Sequence, residues 1–233
     1  MLHSLNPWAD LPRRGPYVLE IDRGQTEQHN KKTSDDKRLM LGSIPEPFIG
    51  NPNSAKVIFL GLNPGHSDDD EKHHNTNLDL RESMFNNLCH KEQNYPFYPL
   101  NRAYREVGAA RWWLPRTFQL RTESGLSEEI FAQRLMVIEW FPYHSRKFAL
   151  PKKTYQSQEY SFELAKEMHS RGKMIVLLRS RRLWAKIDDK FGDSRSTPML
   201  NNPQCSYISK GNMEGGLFGE VVREMQRSDS SQR

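Results

Sequence analysis

The sequence predicts an α/β fold, a three-layer α/β/α sandwich on a short four-stranded parallel sheet. Three observations carry this expectation. Residues 56–60, 135–140 and 173–178 are near-continuous apolar runs, as strands covered on both faces require. Helical patterns, apolar at three- and four-residue spacing, lie between them. Glycine, proline or serine punctuates the junctions. Strand and helix in alternation lead to parallel pairing through crossovers.

In chain order, the first strand (56–60, KVIFL) runs directly into Gly61-Leu62-Asn63-Pro64-Gly65, which ends it. Residues 66–124 are the least regular part, and their aromatics and prolines (NYPFYPLNRAY, RWWLP) read as a wall at the edge of the core rather than a helix pair. Ser127 can cap a helix whose first turn carries Glu128 and Glu129, favourable at the positive end of the dipole. The second strand, 135–140, follows. Ser157 can cap a helix with Tyr160, Leu164 and Met168 on one face and Gly172 at its end. After the third strand, 173–178, Ser180 precedes a helix turning Leu183, Trp184, Ile187 and Phe191 inward, with Gly192 as its stop. A short fourth strand near 198–202 and a helix over 217–226, burying Leu217, Val221 and Met225, complete the series. This divides the chain into a partly irregular extension (1–44), an α/β domain (45–225) and a disordered tail (226–233). Residues 22–38 and 226–233 hold too little apolar content to pack.

At 233 residues the chain is long enough for one sizeable core. No apolar run approaches the roughly 20 residues of a membrane span. The first 15 residues lack a basic-then-apolar export pattern, so a cytoplasmic location is expected. Two cysteines, Cys89 and Cys205, exclude a four-cysteine zinc or iron–sulfur site, and both are expected to be free thiols. The net charge of +5 says little alone. Its distribution says more: RWWLPRTFQLR (111–121), HSRKF (144–148) and RSRRLWAK (179–186) set arginines beside aromatics, a mixture suited to phosphates and stacked bases.

Two Asn-Pro turns stand at strand ends. In Gly61–Gly65 the glycines let a ligand approach the main chain, and Pro64 biases Asn63 toward an extended backbone. Asn63 offers an amide able to hold a water, but it has no useful pKa and cannot be a general base. The stretch also reads simply as a good turn. It is no phosphate loop, since no Lys-Ser/Thr follows the second glycine. The second turn lies in NNPQCSYISKGN (201–212), after the short fourth strand. The run HSDDDEKHHN (66–75) has metal-ligand residue types without a frame to fix them; it reads as a solvated, mobile loop, and no metal or cofactor is expected. His144 is either an electrophile or a structural residue.

With these motifs the chain resembles the uracil-DNA glycosylase superfamily over residues 45–225, most closely its mismatch-specific branch. GLNPG is similar to that branch's water-activating motif, NPQCSYIS to its second motif, and VIEWFPYHS (137–145) lies where the base-discriminating strand ends. The resemblance implies a monofunctional DNA glycosylase, a monomer acting on duplex or single-stranded DNA. Asn63 would orient a water toward the anomeric carbon of a flipped nucleotide, with Gly61 and Leu62 presenting main-chain groups to the base. Asn202 would donate to a base carbonyl, the 205–208 loop with Tyr207 would fill the gap, and Phe97 would stack under the base. Ser67, Ser145, Arg179, Ser180, Arg181, Arg182 and Ser209 would grip the backbone. Glu139 departs from the family's pattern by standing where an asparagine usually reads uracil. A carboxylate only accepts, so the implied target is a cytosine derivative, including a modified base of phage DNA, or else uracil or a mismatched base in repair; alternatively Glu139 pairs with an arginine outside the pocket. A non-catalytic nucleic-acid-binding module and a nucleoside or nucleotide hydrolase are the competing readings.

Overall fold

The computed structural model describes residues 5–213 and 215–228, and it is a mixed helix-and-sheet protein. Its sheet holds four short strands, β1 (Phe48–Ile49), β2 (Val57–Leu60), β3 (Leu135–Ile138) and β4 (Met174–Leu177), in the order β1-β3-β2-β4. β2 pairs in parallel with both β3 and β4, with Ile58 opposite Met136 on one side and Ile175 on the other. Every residue of β2 and β3 is buried, as the unbroken apolar runs require.

The sheet is not wholly parallel. β1, which the sequence pattern did not reveal, lies antiparallel on β3, with Phe48 opposite Ile138. Two residues are too short to display any periodicity. The strand expected over 198–202 shrinks to one parallel bridge, Met199 to Leu177, because the chain turns away after Leu200.

Ten α-helices accompany the sheet among the described residues: α1 (Glu20–Lys32), α2 (Asp70–Thr76), α3 (Leu78–Leu88), α4 (Gly108–Arg116), α5 (Phe118–Ser124), α6 (Glu128–Arg134), α7 (Gln158–Ser170), α8 (Arg181–Trp184), α9 (Asp189–Gly192) and α10 (Leu217–Gln226). α6 starts as its sequence predicts, the Ser127 hydroxyl accepting from the Ile130 amide. α7 buries Tyr160, Leu164 and Met168 against β4 and ends before Gly172, at φ +72°. Ser157 stands at its N-cap position, buried, but makes no side-chain capping bond. α10 buries Leu217, Val221 and Met225.

Three further expectations fail. Residues 22–38 form most of α1 and a short 3-10 turn, although the segment is polar; Asp22 is buried, accepting from Tyr143 Oη at 2.7 Å. Residues 66–124 carry four helices, α2 to α5, whose shortness, with Pro115 inside the last turn of α4, obscured their period. The helix expected over 181–192 is two, α8 and α9, although Trp184 and Phe191 do point inward. The tail from residue 229 lies outside the described residues. No helix is long and apolar enough to cross a membrane among the described residues. Cys89 and Cys205 are free thiols.

Candidate functional site

β2 ends where a cavity of about 370 Å³ begins. That volume falls within the range of roughly 300–1,000 Å³ typical of small-molecule sites. Gly61 extends the ladder, its amide donating to Ile138 at 2.9 Å, while its carbonyl accepts from the Trp184 indole at 2.8 Å. Leu62 O accepts from Phe141 N at 2.8 Å, so the turn is tied to the end of β3. A side chain at Gly61 would strike the Glu139 carboxyl, whose Cδ lies 2.6 Å from the place of a Cβ.

Asn63 lines this cavity, half-buried. Its Nδ2 donates to Pro64 O at 2.8 Å and to Ser145 Oγ at 3.2 Å. A carbonyl only accepts, so the Pro64 bond settles which way round the amide lies. Both donors are thereby committed, and Oδ1 remains as an acceptor.

Glu139 is 8 % exposed and lines the same cavity. Its Oε2 has no hydrogen-bond partner. Burial pushes the carboxyl up to about 8; Arg179 pulls against this, Glu46 adds to it, and the Leu62 amide favours the anion slightly. Burial thus favours the neutral carboxylic acid over the anion. In its neutral form Glu139 could donate as well as accept, whereas the carboxylate expected from the sequence only accepts.

Beside it lies a histidine–acid cluster. His144 directs Nδ1 at Gly65 O (2.6 Å) and Nε2 at Ile44 O (2.8 Å). Both partners are backbone carbonyls, and Glu46 Oε2 stands 3.6 Å from Nε2. Glu46 also accepts from Tyr98 Oη, and burial raises its carboxyl. Burial first, then His144, holds His74 well below the usual imidazole range, and its Nδ1 accepts from Ile44 N. Ligand atoms of His66, Asp70 and His144 come within 4.8 Å of one another. A metal there would compete with the His144 carbonyl bonds and with the Ser67 amide, which donates to Asp70 Oδ2 at 2.7 Å. The residues fit a hydrogen-bonded cluster better than a cation site. The 66–75 run is thus no open loop: Asp68 pairs with Arg146, Asp69 with Arg111, and His74 is buried within α2.

The structure gathers Gly61, Leu62, Asn63, Ser67, Glu139, Ser145 and Arg179 around one cavity. Ser145 is buried and its Oγ accepts from Asn63, so it braces the amide while its own O–H remains a donor. Other expected residues stand apart. Phe97 is fully buried behind Trp113, edge to face at 5.5 Å, and does not line the cavity. Asn202 lies outside it too, its Oδ1 accepting from the Gln204 and Cys205 amides in a self-capped turn. Arg181 reaches back to the Gly192 carbonyl at 3.1 Å, capping α9. Arg182 is exposed, Ser180 is left-handed at φ +64°, and Ser209 starts the turn that holds Asn212.

Sequence reasoning missed several residues. Trp112, Trp113 and Phe148 supply the aromatic lining. Arg116 lies 3.2 Å over the Trp112 ring and 5.3 Å from that of Tyr207, with Trp112 and Tyr207 40 % and 41 % exposed. Arg179 approaches the same indole at 5.9 Å. The arginine–aromatic mixture of 111–121 was the available signal; which ring faced the cavity was not legible. No protein-family model, curated protein or solved structure matches the chain.

Proposed function

We propose that the protein is a monofunctional DNA glycosylase, taking an extruded base into the cavity at the end of β2 and hydrolysing its N-glycosidic bond to leave an abasic site. The observation that carries this is Asn63. Its amide is locked by Pro64 and Ser145, leaving Oδ1 to accept from a water at the cavity wall. So weak an activator suffices only when the bond breaks dissociatively, the sugar developing cationic character before water adds. Trp112, Trp113 or Phe148 takes the stacking role expected of Phe97. No lysine lines the cavity among the described residues, which favours water over an amine nucleophile.

The reading includes a three-layer sandwich around the parallel β3-β2-β4 core, DNA as partner, a monomeric state and action in the cytoplasm. The target is a cytosine derivative, as in modified phage DNA, or uracil or a mismatched base in repair. The test is incubation with single- and double-stranded DNA panels carrying different bases, followed by alkali to cut at abasic sites. Cleavage at one base class, absent in Asn63→Ala, is the expected result. Salt-sensitive DNA binding without base release would favour a non-catalytic module, and release from free nucleosides alone would favour a nucleoside hydrolase.

A further inference from the structure

We propose that Glu139 is a catalytic residue that holds a proton facing the cavity and passes it to the ring nitrogen of a cytosine-type base as the glycosidic bond breaks. This rests on the glycosylase reading and specifies its substrate class. The geometry comes first. The carboxyl lies against Gly61, where a Cβ would meet it, and its Oε2 is buried without a partner. The groups facing it are few: the Leu62 amide beyond β2, Arg179 beyond β4 and Glu46 ahead of β1, none closing an ion pair. An anion here would be desolvated and only partly compensated by Arg179 and the Leu62 amide, which favours the protonated acid.

A carboxylic acid complements cytosine by two parallel bonds. Its O–H donates to N3 and its C=O accepts from the amino group. The same acid can face uracil, donating to O4 and accepting from N3–H, so the distinction lies in the chemistry. Uracil leaves as an anion spread over two carbonyls. Cytosine, with an amino group in place of one carbonyl, is the poorer anion and benefits more from a proton. As the C1′–N1 bond breaks, its electron pair passes to the base while the Glu139 proton moves to N3, so the base departs neutral. Water then adds its oxygen to C1′, and the proton it releases restores Glu139 through solvent. One water is consumed and one base released.

The experiment is single-turnover release from duplexes with cytosine, a 5-substituted cytosine or uracil at one position, comparing wild type with Glu139→Gln. The amide keeps the shape and hydrogen bonds but has no proton to give. Release of the cytosine-type base should fall about 100-fold or more, the low end of general-acid effects, while uracil release moves less than about fivefold. The wild-type rate on cytosine-type bases should drop about tenfold per pH unit above roughly pH 8, and the variant should lack this drop. Infrared difference spectra should show a protonated-carboxyl band at pH 7 in the wild type that Glu139→Gln removes. Equal cytosine release by the variant, or no such band, overturns the proposal while leaving the glycosylase reading standing. A wild type that releases no base from any duplex overturns that reading, and this proposal with it. Should Glu139→Gln fail to fold, Glu139→Asp, which keeps the proton but withdraws it by one methylene, should give an intermediate loss with the infrared band retained; full activity would again overturn it.

Discussion

At Asn63 the chemistry depends on an amide whose donors are spent on Pro64 and Ser145 and whose acceptor is open. Asn63→Ala should lower base release at least about 100-fold with DNA affinity within about twofold, since no phosphate contact is lost. Filter binding beside single-turnover kinetics checks both; full activity in the folded variant ends the assignment. Ser145→Ala should act in the same direction but more weakly, because Pro64 still orients the amide. Glu139 gives a separate prediction for stability. Its carboxyl is raised from 4.5 to about 8, so the fold keeps a proton that the unfolded chain releases. Stability is therefore lost as pH rises through that window, by about 1.4 kcal/mol per pH unit from this group. Glu139→Gln removes that slope, so its urea midpoint should gain on the wild type between about pH 5 and 8. A constant gap would place the carboxyl in solvent.

Two elements meet beside Trp112, which lines the cavity. The 202–207 turn is held by Asn212, whose Nδ2 reaches Cys205 O at 2.7 Å and Tyr207 O at 2.9 Å, and whose Oδ1 accepts from Asn202 N at 2.7 Å. Through Ile208, which donates to Arg116 O, the turn is pinned to the end of α4. The Trp112–Arg116–Tyr207 stack is thus shared by two segments about ninety residues apart in the chain. If it is a platform for bases, Trp112→Ala and Tyr207→Ala should each weaken single-stranded DNA binding by about 1–3 kcal/mol. Asn212→Ala should lose part of the Tyr207 effect by freeing the turn. The paired arginines should separate: Arg182→Ala should flatten the salt slope of binding by about one unit, whereas Arg181→Ala should chiefly lower stability by uncapping α9. Identical salt slopes in both variants would show that α8 faces away from DNA.

Across the whole molecule, buried titratable groups oppose one another. Burial raises the carboxyls of Asp22, Glu46 and Glu139, which destabilise the fold as pH climbs from about 4.5. It also depresses His66, His74 and His90, the last to about 4; these stay neutral in the fold while the unfolded chain takes protons below about 6.5, so stability falls as pH falls. Stability should therefore peak between about pH 4.5 and 6.5 and decline on both sides, as urea titrations across pH would register. A flat profile from about pH 6 to 9 would contradict the buried acids.

The sequence by itself determined the three parallel strands, the α7 and α10 faces, the Ser127 cap and the turn that puts Asn63 at a strand end. These are local matters: unbroken apolar runs, a 3.6-residue period and a proline after an asparagine leave few alternatives. Tertiary structure alone decided the rest. α1 is polar enough to read as frayed, yet Asp22 is anchored by Tyr143, more than a hundred residues later. Phe97 and Trp113 are both apolar aromatics, and only packing puts one behind the other. Whether Asn202 reads a base or caps its own turn depends on Asn212 and the path of a loop. The protonation of Glu139 depends on what surrounds it, because desolvation is a property of neighbours brought together from distant parts of the chain and no spacing along it records their distance.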